Sequence, residues 1–155
     1  MKLDSKARRV LRSAARFYAV QALFQMEASD SAIGTVLREF EDHRIGIEVE
    51  GEAWAEADIN FFRRVVEAAV DRQAAIDQLT DRALVAKWPI ARIDPTLRAL
   101  FRAAGAELLT TERDARIILS EYVTLAGDFF PDSREQKFVN AVLDHMAREV
   151  RADEF

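Results

Sequence analysis

From about Ala57 to the end of the chain, apolar residues recur three and four positions apart, and this spacing constrains the fold more than any other feature. Ile59, Phe62, Val65, Val66, Ala69 and Val70, followed by Ile76 and Leu79, make one stripe, expected to run as a long helix that ends before Pro89. Asp94-Pro95 is a start signal, because an aspartate can accept from the free amides of a first turn and the fixed φ of proline suits the first helical position. Leu97, Leu100, Phe101, Ala104 and Leu108 follow it. After Thr110-Thr111 a further helix places Ile118, Tyr122, Leu125, Ala126 and Phe129 on one face and stops at Phe130-Pro131. A last helix opens at Asp132-Ser133 and carries Phe138, Val139, Val142, Leu143, Met146 and Val150, with Ala152 to Phe155 expected to fray.

The N-terminal third reads the same way. A helix over about 5–27 precedes Ala-Ser-Asp-Ser, where Asp30 or Ser31 can cap a second helix through about Asp42. Arg44 to Trp54 is weakly periodic and holds two glycines, which predicts a solvated loop. Alternating runs bounded by turn residues are missing, so the fold class is all-α with about six to seven helices. The 155 residues suit a single domain, 1–155, in which two helical bundles pack, the second spanning about 57–150.

Several function classes fall away on composition. Cysteine is absent, which removes disulfides, thiolate metal sites and a cysteine nucleophile and fits a reducing cytoplasm. His43 and His145 have no second histidine at ligand spacing, so no metal and no cofactor are expected. No run approaches the roughly 18 apolar residues of a membrane span, and the basic start lacks the apolar core of a signal peptide. Glu107 and Glu121 interrupt apolar stripes, but without a nucleophile or a phosphate loop they name no reaction; bonding to Arg98 or Arg102 is the plainer expectation. His145 reads as an ordinary surface or core residue, and Tyr18, Trp54 and Trp88 as core or edge aromatics. No enzymatic activity is expected.

Charge placement is the positive clue. Residues 1–16 hold Lys2, Lys6, Arg8, Arg9, Arg12 and Arg16 against Asp4 alone, a net of +5 in a chain of net −5, so the remainder carries −10. On a helical wheel Arg8, Arg9, Arg12 and Arg16 share an arc of roughly 100°, with Val10, Ala14, Phe17, Val20 and Phe24 opposite. Guanidinium groups one turn apart can track the phosphates of single-stranded RNA, and a solvated basic face is the alternative. A second cluster, Asp132 to Asn140, joins a capping residue, Arg134, Lys137 and an aromatic; Phe138 there is either core or a platform for a base.

At this point the chain resembles the NusB family of bacterial transcription antitermination factors. The resemblance lies in Arg12-Ser13-Ala14-Ala15-Arg16 leading into Ala19 to Gln25, in Leu100 to Leu109 with Ser120 to Ala126, and most specifically in Lys137-Phe138-Val139-Asn140-Ala141-Val142-Leu143-Asp144. Ser13, Ala14, Ala106, Ser120 and Ala141 depart from the family pattern, the last three expected as packing changes. The resemblance implies two three-helix bundles, binding to the boxA element of nascent RNA, and partnership with NusE, a ribosomal small-subunit protein, in the transcription elongation complex. It implies RNA contacts from Arg12 and Arg16 and from Asp132 and Phe138, with Phe138 as a stacking platform; by their charge and position Lys6, Arg8, Arg9 and Lys137 complete the expected RNA-binding set. Monomer and homodimer both stay open. The competing expectations are a helical protein–protein adaptor and an RNA-binding domain like that of RNA methyltransferases.

Overall fold

The computed structural model describes residues 4–84 and 93–155; Lys2, Trp88 and Pro89 lie outside them. Seven α-helices occur among the described residues: α1 Ser5–Ser29, α2 Ile33–His43, α3 Ile59–Asp71, α4 Gln73–Ala83, α5 Pro95–Thr110, α6 Ala115–Phe129 and α7 Ser133–Val150. Two compact units result, Met1–Glu67 and Ala68–Phe155.

Helix starts follow local hydrogen-bond chemistry. Asp4, Asp94, Asp114 and Asp132 each accept a backbone N–H from the first turn of α1, α5, α6 and α7, satisfying donors that the helix cannot. Helix α2 departs from expectation. Neither Asp30 nor Ser31 caps it: Asp30 takes a left-handed conformation (φ 53°) that closes α1, and Ser31 shares a hydrogen bond with Ser29.

In the first unit Ala15, Tyr18, Ala19, Ala22 and Leu23 of α1, Val36, Leu37 and Phe40 of α2, and Phe61, Phe62 and Val65 of α3 are buried. Phe40 and Phe62 stack with centroids 5.8 Å apart. Residues expected as a loop form a minimal hairpin, β1 Glu48–Val49 paired antiparallel with β2 Glu52–Ala53. Its turn residues Glu50 and Gly51 both have positive φ, which matches the right-handed twist of paired strands. The Tyr18 hydroxyl donates to the Ala55 carbonyl at 2.6 Å and the Trp54 ring stacks on Tyr18, so the hairpin is pinned to α1. Burial pushes the Tyr18 hydroxyl pKa up.

The stripe expected as one helix from Ala57 onward divides at Arg72, where the exposed run Asp71 to Ala75 has no core contact to hold it straight. In the second unit Ile76 and Leu79 of α4, Leu100, Phe101 and Leu108 of α5, Ile118 and Tyr122 of α6, and Val139, Leu143 and Met146 of α7 fill the core. Gly105 lets α4 and α5 approach closely: a Cβ there would stand 2.5 Å from Ile76 Cγ2. The expected frayed tail is instead a 3-10 turn, Ala152–Glu154. Arg151 donates to the carbonyls of Leu108, Thr111 and Arg113, and Glu154 accepts from the Ala115 N–H, so the tail closes the α5–α6 connection.

Buried charge is paired. Glu107 bonds Tyr122 and Arg113, Arg102 pairs with Asp77, and Arg98 donates to the Ile93 carbonyl. This arrangement braces the second unit. Of the three departures expected as packing changes, Ala106 is buried, whereas Ser120 and Ala141 are exposed.

Candidate RNA interface

The basic cluster is carried by the first turns of α1. Lys6, Arg8 and Arg9 are exposed, and Arg8 reaches Ser5 Oγ at 3.5 Å. Arg12 is half-buried. Arg16 is a correction to the expected polar face: it is 1% exposed, and its guanidinium sits 5.0 Å from the centroid of the Phe61 ring. The wheel explains the error, because Arg8, Arg12 and Arg16 lie in the sector that further along α1 carries Ala15, Ala19, Ala22 and Leu23 into the core. The basic face is therefore the core face running out beyond the first unit's packing. Val10 and Phe24, expected inside, are exposed.

The second cluster opens α7. Asp132 Oδ1 accepts the Arg134 N–H and Oδ2 accepts from Arg134 Nε, both at 2.9 Å. Arg134 is largely solvent-exposed and ion-paired with Asp132, a cation that the expected set omitted although it stands one helical turn before Lys137. Lys137 is exposed. Phe138 is half-buried, its ring edge-on to buried Phe101 with centroids 6.0 Å apart, so it serves the core on one side and offers solvent only part of its surface.

Among the described residues no group of three His, Asp or Glu side chains could hold a metal ion, and no helix is long and apolar enough to cross a membrane. His43 and His145 are both exposed.

A model of the NusB family matches residues 13–148. The chain belongs to the NusB family. Among its relatives, the transcription antitermination protein NusB of Nitrobacter hamburgensis is 48% identical over 154 residues, covering 99% of this chain and 94% of that protein. The NusB of Rhodopseudomonas palustris strain BisB18 is 47% identical, covering 98% and 89%. T. maritima NusB has the same fold, with a TM-score of 0.73 and 27% identity over 96% of this chain and 94% of its own. A chain of a crystal structure of the antitermination factors NusB and NusE in complex with dsRNA shares the fold, with a TM-score of 0.70 at 23% identity over 88% of this chain and 96% of that one. The NusB-family match begins at Ser13, so it includes Arg16 and the opening of α7 and starts beyond Lys6, Arg8, Arg9 and Arg12.

Proposed function

We propose that this NusB-family chain is a transcription antitermination factor that binds a boxA-type single-stranded element of nascent RNA, together with NusE, in a transcription elongation complex. The observation that carries this reading is the exposed cluster Lys6, Arg8 and Arg9 at the start of α1 in a chain whose net charge is −5. In it these cations and the half-buried Arg12 hold phosphates, where counterion release supplies affinity without sequence preference. Arg16 supports the helix from beneath rather than touching RNA. In the second contact region Lys137 adds charge, Asp132 accepts from a base edge, and Phe138 offers the uncovered part of its ring to a base. The acidic remainder of the chain suits a basic partner such as a ribosomal protein, with charge speeding encounter and selecting the partner. The protein acts by binding, in the cytoplasm, with no catalytic step.

Fluorescence titration of a boxA-like RNA and a scrambled control, each with and without NusE, tests the reading. Selective binding that tightens with NusE supports it. Equal or absent binding of both RNAs in the presence of NusE refutes it.

A further inference from the structure

The row of arginines on α1 leaves the surface at Arg16. Arg12 and Arg8 stand one and two turns before it, half-buried and exposed, while Arg16 is 1% exposed with its guanidinium over the Phe61 ring. The same ring holds a second cation. Arg64, one turn beyond Phe61 on α3, places its guanidinium carbon 6.0 Å from the ring centroid and is exposed. Phe61 itself is 3% exposed, so it positions both side chains without offering a face to solvent. Backbone hydrogen bonds keep α3 where this requires it. The Asp58 N–H donates to the Leu11 carbonyl at 3.1 Å, and Asp58 Oδ1 accepts the Phe61 N–H at 3.0 Å, so the first turn of α3 is tied to the turn of α1 that carries Arg12.

The neighbouring arginine supplies the contrast. Arg63 donates to both carboxylate oxygens of Glu41 on α2 and is neutralised there. Arg64 has no carboxylate partner among the described residues, and a guanidinium held against a ring keeps N–H donors for an outside anion. We propose that Arg64 is a further phosphate contact for single-stranded RNA, taking up the strand where the α1 row turns inward at Arg16, so that the RNA passes from Lys6, Arg8, Arg9 and Arg12 onto α3. The proposal rests on the RNA reading of α1 and extends it to a second helix. A phosphate is the part of the RNA that fits, because the ring beneath Arg64 is covered and offers no platform to a base. The contact therefore adds affinity and salt dependence without sequence preference.

Titration of a boxA-like single strand and a scrambled control into the full chain over a range of salt tests it, with wild type, Arg64→Ala, Arg64→Lys, Arg63→Ala and Arg8→Ala compared. Arg64→Ala is expected to bind both RNAs about fivefold more weakly and to lose about 0.7 from the slope of log affinity against log salt, while unfolding at the wild-type midpoint. Arg64→Lys keeps the charge and should keep the slope, and Arg63→Ala should stay within about twofold of wild-type affinity. Wild-type affinity and slope in Arg64→Ala, beside a weakened Arg8→Ala, would overturn the α3 contact and leave the α1 reading standing. A wild-type chain that binds neither RNA would overturn both. An equal loss of slope in Arg64→Lys and Arg64→Ala would assign the effect to packing on Phe61 and overturn the proposal as well.

Discussion

The guanidinium of Arg16 lies over the ring of Phe61, 5.0 Å from its centroid, and this contact binds the middle of α1 to α3 inside the first unit. A cation held on an aromatic face in a dry setting, with its methylene stem packed, contributes through both charge and burial. Arg16→Ala is therefore expected to lower unfolding stability by about 2 kcal/mol, read from urea denaturation. Arg8→Ala, at an exposed position, should stay within about 0.5 kcal/mol. Equal, negligible effects would remove the structural role from Arg16.

Asp132 combines two duties that substitutions can separate. Asp132→Ala removes the cap of α7 and should cost about 1 kcal/mol, whereas Asp132→Ser keeps an oxygen for the Arg134 N–H and should cost little. If the carboxylate accepts from a base, the serine variant still loses RNA affinity, by about fivefold for one hydrogen bond. Unfolding curves and RNA titrations on both variants check the pair.

At Gly105, α5 comes close to Ile76 of α4. A methyl group there would press on Ile76 Cγ2, so Gly105→Ala should destabilise the protein by about 1–3 kcal/mol despite its better helix propensity. Adding Ile76→Ala should cost less than the sum of the two single changes, because the second side chain vacates the contested space.

The C-terminal clasp predicts a pH dependence. The Arg151 guanidinium and the Ala115 N–H hold the Glu154 carboxyl below its ordinary value of 4.5. A carboxyl with a depressed folded-state pKa binds fewer protons folded than unfolded, so its stabilisation is complete above pH 4.5 and disappears as pH falls through the folded value. Glu154→Gln should be less stable than wild type at pH 7, and thermal unfolding should show the gap closing in acid, where both side chains are neutral.

How far the sequence was readable varies with the range of the interaction involved. Caps at Asp94 and Asp132 and the stops at Phe130-Pro131 depend on neighbouring residues, and they stand where spacing and residue type placed them. The division of α3 from α4 at Arg72 carries no proline or glycine, and the two-residue strands around Glu50-Gly51 are too short to show a period. In the candidate site, periodicity grouped Arg8, Arg12 and Arg16 correctly but could not say that their shared sector turns inward by Arg16, because that depends on where α3 packs. Phe138 likewise owes its partial burial to Phe101, thirty-seven positions away.

The most direct test of RNA binding through the start of α1 is the salt dependence of affinity for a boxA-like single strand, compared between wild type and a Lys6→Ala/Arg8→Ala/Arg9→Ala variant. Each phosphate contact removed should reduce the slope of log affinity against log salt by about 0.7, so the variant should bind more weakly and lose about 2 from its slope while unfolding at the wild-type midpoint. An unchanged affinity and slope in a folded variant would contradict the account.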